Sequence, residues 1–371
     1  MLKPDATILG AGLMGRLLAC ALAQRGHRVE VIDAGGPEAA HAAARVAAAM
    51  LAPLAESAVT ELNVVRMGQH ALARWPQLLA TLERPVFFQQ LGTLVLWHRQ
   101  DAAEAERFAG QLARTSAALP SLPQAQRMNG EGLTALEPSL AGRFAQGLYL
   151  PDEGQLDNRE LLAALAHQMQ VLGVTVRWHT ARNPDEVDPG PDAWLFDCRG
   201  LGGQPQWGAL RGVRGEVARV LAPGVNLSRP TRLVHPRYPL YIAPKPEGVF
   251  VIGATEIESD DLSPASVRST LELLSAAYTV HPGFGEARII EMGVQLRPTL
   301  PDNLPAIRQP QPRVLEVNGM YRHGFMISPA MLDVTMEILN TGQSALSKRF
   351  DLRLELLGTP APAGQAASAL A

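Results

Sequence analysis

Ala6-Thr7-Ile8-Leu9-Gly10-Ala11-Gly12-Leu13-Met14-Gly15, closed by Val29-Glu30-Val31-Ile32-Asp33, is the stretch on which the fold turns. The apolar run Ala6 to Leu9 reads as a buried strand that enters a glycine-rich turn at once. Leu13, Leu17, Leu18, Cys20, Ala21 and Leu22 then recur at near-helical spacing through Gln24, and Gly26 is placed to cap the helix. His27 to Asp33 reads as a second strand ending in an acid, 18 residues after Gly15. That separation is close to the roughly 20 residues of dinucleotide-binding βαβ units. Gly10 allows the tight turn, Gly12 lets backbone approach a pyrophosphate, and Gly15 lets helix and strand pack closely. Leu13 and Met14 open the helix whose N-terminal N–H groups face phosphate, and Asp33 accepts from a ribose diol. The unit predicts a bound dinucleotide and leaves NAD and FAD both open.

Working outward, the 371 residues suggest two to three compact units at about 150 residues per domain. With 47% hydrophobic and 19% charged residues, disorder, collagen and coiled coil are poor readings. The 33 Lys+Arg against 36 Asp+Glu leave no surplus for a basic nucleic-acid-binding stripe. Two cysteines, Cys20 and Cys198, make neither a disulfide framework nor a four-cysteine zinc site, and suit a reducing, cytoplasmic compartment. No run approaches the roughly 18 uncharged apolar residues of a membrane span. Arg16 and the glycines interrupt the N-terminal apolar stretch where a signal peptide needs continuity. No metal-ligand spacing appears among the nine histidines.

Along the rest of the chain, the Ala-rich residues 39 to 55 and the periodic segment Glu56 to Leu82 read as mostly helix. Strands are expected in Pro85 to Trp97, helices over Ala102 to Leu119 and Asn158 to Leu172, and strands at Val174 to Trp178 and Trp194 to Cys198. Gly200, in Arg199-Gly200-Leu201-Gly202-Gly203, marks either a close backbone approach to a ligand or an ordinary loop. From Gly212 to Gly253, short β-rich runs, Thr231 to His235 among them, read as one antiparallel sheet. Ser263 to Tyr278 reads as a helix, Arg288 to Leu296 and Arg313 to Val317 as strands, and Ser328 to Leu339 as a helix.

Further motifs occur in order: Ala47-Ala48-Ala49-Met50-Leu51-Ala52-Pro53, Tyr241-Ile242-Ala243-Pro244-Lys245, Ile252-Gly253-Ala254-Thr255, Leu296-Arg297-Pro298-Thr299-Leu300-Pro301-Asp302-Asn303-Leu304-Pro305 and Tyr321-Arg322-His323-Gly324. With the glycine turn and Asp33, they resemble the FAD-dependent amine and D-amino-acid oxidases, and within them the glycine oxidases of thiamine synthesis. The resemblance covers roughly Asp5 to Leu357. It implies an α/β (α+β) fold in which a Rossmann-type FAD-binding domain is interleaved with a substrate domain built on a mixed or antiparallel sheet. The expected division is 1–83, 147–212 and 292–360 for FAD, 84–146 and 213–291 for substrate, and a mobile tail at 361–371.

The same resemblance implies FAD as cofactor and gives the site its roles. Arg297 looks like the substrate-carboxylate clamp, for which a planar guanidinium is suited because two parallel hydrogen bonds fix position and angle. Tyr241 resembles the pocket tyrosine supporting that carboxylate. Arg322 looks like a fixed charge near the flavin ring, with His323, Gly324, Phe325 and Met326 as the segment passing the flavin. Ala48 and Met50 belong to the flavin-contacting Ala-rich segment. Two departures stand out. Ala44 and Arg45 occupy the neighbourhood of a customary serine and Ala49 that of a customary glycine, leaving Arg45 as a substitute phosphate contact. Glu256 stands where an apolar residue is common, and either favours a different amine or faces solvent.

The implied reaction is oxidation of glycine, sarcosine or a small D-amino acid, with Cα hydride passing to flavin N5 and hydrolysis of the imine to the oxo acid. Oxygen or another electron acceptor completes the cycle. Both cysteines lie at or before position 198, which excludes a flavin thioether in the C-terminal half. Alternatives are a D-amino-acid dehydrogenase with a non-oxygen acceptor, an NAD-dependent dehydrogenase supported by the first βαβ unit, and a nucleotide-binding scaffold that has lost catalysis. A homo-oligomer is compatible with all of them.

Overall fold

The computed structural model describes residues 4–357 except 189, 191 and 235–239. The expected mobile tail at 361–371, and His235 at the end of one expected strand, lie outside the described residues.

The opening βαβ unit forms as its residues dictate. Ala6–Leu9 and Val29–Ile32 are parallel neighbours, joined by the Leu13–Gln24 helix. They sit in a seven-stranded sheet of order 353–355, 306–311, 314–318, 194–197, 6–9, 29–32, 175–177. Its four central strands are parallel and buried on both faces, which is why they read as short apolar runs rather than alternating ones. The Leu13–Gln24, Asn158–Val171 and Gly324–Thr341 helices share one apolar core with this sheet. The Leu62–Leu79 helix joins that core, and its Trp75 indole N–H donates to the Phe325 carbonyl at 2.9 Å.

A second sheet of eight strands runs 288–299, 211–221, 249–253, 240–244, 231–233, 93–96, 146–150, 126–129. The four strands between Arg211 and Gly253 are antiparallel, as expected. The 231–233 strand then pairs in parallel with 93–96, so the complete sheet is mixed. A three-stranded sheet joins 50–51, 154–156 and 88–89. Among the described residues no helix is long and apolar enough to cross a membrane.

Three expectations need correction. Gln146–Leu150 and Arg288–Thr299 are both strands of the eight-stranded sheet, so divisions at 147 and 292 cut through them. Sheet membership follows from hydrogen-bonded pairing with distant strands, which local apolar pattern does not report. Residues 39 to 55 are not mostly helical: Ala43–Val46 and Pro53–Glu56 are single turns, with Met50–Leu51 paired as a strand between them. The long helix starts only at Leu62. Alanine's helix propensity yields here to the pairing of Met50 with Gln155 and to Pro53 at a helix start. Two strands in the first sheet, Ala306–Gln311 and Arg353–Glu355, carried no signal that was read.

Candidate active site

A cavity of about 1300 Å³ is lined from Asp33 and the glycine turn at one end to Tyr241, Arg297 and Arg322 at the other. At the first end, Gly10 has φ +92°, and a Cβ there would lie 2.8 Å from backbone atoms of Cys198 and Arg199. Gly15 lies beneath the turn, where a Cβ would overlap the Gly10 carbonyl, so it serves helix–strand packing as expected rather than lining the cavity. Gly12, Leu13 and Met14 line it, and the helix they open has no side-chain cap. Its first N–H groups therefore face the cavity as donors for an anion. Asp33 lines the cavity too, with Oδ1 accepting from Gly35 N at 2.7 Å and Oδ2 accepting from Ala11 N. Gly200 lines the same end from the loop after the Trp194–Asp197 strand.

Arg16, fully buried in the first helix, braces this end from behind. Its guanidinium donates to the carbonyls of Ala11, Leu162 and Pro37 at 2.6, 2.6 and 2.8 Å. Burial pulls its pKa down to about 10, which still leaves it charged at neutral pH.

The Ala-rich segment forms a middle wall through Ala44, Ala48, Ala49 and Met50. It is held by its backbone: Asn158 Nδ2 donates to the carbonyls of Ala44 and Arg45 at 2.9 and 2.7 Å. Lys245 Nζ donates to those of Ala48 and Leu156 at 2.8 and 2.7 Å. Burial draws Lys245 down to about 7. Arg45 does not take the place expected of it. Its guanidinium turns to the Glu38 carbonyl at 3.1 Å, outside the residues lining the cavity. Ala49, where a glycine was customary, has φ +53°, the left-handed region that costs a Cβ-bearing residue about 1–2 kcal/mol. Ala49→Gly is therefore expected to stabilise the protein by about 1 kcal/mol, read as a rise in unfolding midpoint. A lowered midpoint would show that Cβ packing outweighs the strain.

At the far end, Arg297 lies on the Arg288–Thr299 strand opposite Val213. Its Nη1 and Nη2 donate to the carbonyls of Arg214 and Thr255 at 3.2 and 3.0 Å, and no carboxylate pairs with it among the described residues. Burial lowers its pKa from 12.5. The guanidinium lies flat against Gly215, where a Cβ would come within 2.5 Å of it. The Tyr241 hydroxyl makes no hydrogen bond to another described residue, and burial raises its pKa, so it stays a neutral donor.

Arg322 is bound on both sides. Its Nη1 donates to Glu256 Oε2 at 2.6 Å, and its Nε is 3.1 Å from Glu56 Oε2. Glu56 Oε1 accepts from Arg232 Nη2 at 2.5 Å, and His323 Nδ1 is 3.4 Å from Oε2. Burial pushes the Glu56 carboxyl up, but Arg322, Arg232 and His323 together hold it well below the usual carboxylate range. Burial brings His323 down to about 4 against the pull of Glu56, so it is neutral at pH 7. Gly324, Phe325 and Met326 line the cavity where an uncapped helix begins. Glu256, Glu56, Arg232 and Tyr321 also line it.

Glu56, Arg232 and Gly215 were not singled out from sequence, and Tyr321 entered only as the first residue of the Tyr321-Arg322-His323-Gly324 motif. Glu56 lies three residues after Pro53, the end of the Met50-Leu51-Ala52-Pro53 motif, which was the one available signal for it; Arg232 carried none.

Behind this cluster, Glu153 is fully buried, with Oε1 accepting from Ala55 N at 2.7 Å and Oε2 without a hydrogen-bond partner. Burial raises its pKa from 4.5 to about 7, only partly opposed by Arg232. The folded state therefore holds a proton between pH 4.5 and 7 that the unfolded chain has lost, and this contribution to stability disappears as pH rises through 7. Glu153→Gln lacks that titration. Its stability relative to the parent is expected to improve by up to about 3 kcal/mol between pH 4.5 and 8 in urea unfolding. A constant difference across that range would show that Glu153 does not titrate this way.

Two uncapped helix starts, a glycine turn and a terminal acid suit an elongated dinucleotide, and the far wall suits a small anion. Residues 5–337 match the family of FAD dependent oxidoreductases. The chain belongs to that family. This FAD-dependent oxidoreductase is 40% identical over 340 residues to a Rhizobium etli protein named thiamine biosynthesis oxidoreductase ThiO, covering 92% of this chain and 98% of that one. It is 27% identical over 353 residues to a glycine oxidase of Geobacillus kaustophilus, covering 88% and 90%. The crystal structure of glycine oxidase from the same species shares the fold, with a TM-score of 0.77, 22% identity and coverage of 93% and 96%. The enzyme uses FAD.

Proposed function

We propose that the enzyme oxidises a small α-amino acid, glycine, sarcosine or a small D-amino acid, to an imine that water hydrolyses to the oxo acid. The observation that carries this reading is the Arg297 guanidinium: inside the cavity, hydrogen-bonded among the described residues only to carbonyls, beside a Tyr241 hydroxyl that bonds to none of them. A substrate carboxylate would supply the missing anion, accepting from Arg297 and Tyr241. The glycine turn with Leu13 and Met14 would hold the pyrophosphate, Asp33 the ribose, and Ala48, Met50 and the His323 to Met326 segment the flavin. FAD held there would supply the two-electron acceptor for the Cα–H bond of the clamped substrate.

The protein's part is orientation, since a clamped carboxylate leaves Cα few positions to occupy. Three arginines, Arg232, Arg297 and Arg322, face two carboxylates, Glu56 and Glu256. The excess positive charge is neutralised by a substrate carboxylate, while an ammonium is disfavoured. The amine then binds in its neutral form. No dedicated base is required: His323, at about 4, takes few protons at neutral pH. Similarity to ThiO supports a place in thiamine biosynthesis.

The test is anaerobic bleaching of the FAD-loaded protein by glycine, sarcosine or D-alanine, with peroxide and dye reduction measured in parallel. Bleaching with peroxide release supports an oxidase, and bleaching with dye reduction alone a dehydrogenase. A flavin that none of these substrates bleaches overturns the reading.

A further inference from the structure

Glu256 is a charged residue beside the proposed carboxylate clamp that makes no contact to substrate or flavin in the proposed reaction. Its Oε1 accepts from the Tyr321 hydroxyl and its Oε2 from Arg322 Nη1, both at 2.6 Å. The Glu256 side chain is nonetheless 47% exposed, on the wall that also carries Arg297. Arg232 and Arg322 are both committed to Glu56, and Arg322 to Glu256 as well. Among the described residues, Arg297 alone of the three has carbonyl partners only. The same lining adds the exposed Arg268 and the half-buried Glu272, one charge of each sign.

From this arrangement we infer that Glu256 is a specificity-determining residue that restricts the site to amines bearing a single carboxylate. It does so in two ways. It occupies the cation that would otherwise receive a second carboxylate, and it presents a like charge to any such group approaching. An interface selects against a wrong ligand by such unfavourable juxtapositions as much as by good contacts to the right one. The inference rests on the substrate reading above, in which Arg297 takes the first carboxylate.

The experiment compares the FAD-loaded protein with Glu256→Gln, which removes the charge and keeps the shape, and with Glu256→Ala, which frees Arg322 Nη1 while Nε stays beside Glu56. Two readouts are used: kcat/KM for iminodiacetate relative to glycine, and dissociation constants of glycolate and diglycolate from the change in flavin absorbance. For both variants the iminodiacetate-to-glycine ratio is expected to rise about tenfold or more, the effect of removing one close like charge. Diglycolate should bind about tenfold tighter while glycolate moves much less. A role confined to holding Tyr321 and Arg322 in place predicts instead that both substrates and both ligands weaken together, with the ratios unchanged. That result overturns the inference, as does a parent protein that already takes iminodiacetate as well as glycine. If glycine is not oxidised at all, the substrate reading fails, and the glycolate and diglycolate constants still decide the role of Glu256.

Discussion

Arg297→Ala is expected to lower kcat/KM for glycine by about 10²- to 4 × 10³-fold while the protein still binds FAD. The guanidinium is buried and already oriented by the carbonyls of Arg214 and Thr255, so it meets a carboxylate without reorganising. Losing a buried charge-assisted pair of this kind costs about 3–5 kcal/mol, and each 1.4 kcal/mol is about tenfold. Arg297→Lys should recover only part of the loss, because an ammonium keeps the charge but not the planar fork. Flavin absorbance reports that the cofactor is retained, and steady-state rates report the clamp. Unchanged kcat/KM in the alanine variant would mean that the carboxylate is held elsewhere, and Arg322 is poorly available since Glu56 and Glu256 already engage it.

The largest effect on stability is expected at Glu56. Its carboxylate is the shared partner of Arg232 and Arg322 in a site where neither cation reaches bulk water freely. Glu56→Ala leaves the buried Arg232 without a carboxylate and the half-buried Arg322 with Glu256 alone, which places the loss at about 3–5 kcal/mol. The pH dependence has a definite sign. A carboxyl whose folded pKa lies below its ordinary 4.5 contributes stability above that value and loses it as pH falls toward the folded pKa. The gap between parent and Glu56→Gln is therefore expected to be full at pH 7 and to narrow below pH 4.5, as measured by urea unfolding. A gap that stays constant to acid pH would mean that Glu56 is not held ionised by the two arginines. Glu56→Gln should also be less damaging than Glu56→Ala, because an amide oxygen still accepts from Arg232.

The nucleotide end was legible in the sequence because its parts lie close together along the chain. Gly10, Gly12 and Gly15 act within one turn, and Asp33 ends the very next strand. A βαβ unit of this length has few ways to fold, so residue type and spacing translate almost directly into position. Arg297, Tyr241 and Arg322 were found through resemblance rather than spacing, and the fold brings all three to one cavity wall. Arg45 shows where that reasoning stops. A cation in the right neighbourhood satisfied the pattern, but the backbone there turns its side chain to the Glu38 carbonyl.

The amino-acid sequence alone thus determined the nucleotide end, since close-range sterics and hydrogen bonding act between near neighbours in the chain, and its motifs gave the family of chemistry by resemblance. Only the tertiary structure decided which arginine is free. Glu56, Arg232, Glu256 and Arg322 come from four separated segments, and their pairing depends on how two sheets meet across the cavity. The strain at Ala49 was settled in the same way, by its neighbour Met50 pairing with Gln155 more than a hundred residues later. Coulomb energy depends on distance in space and on burial, and neither is encoded at the position of any single residue.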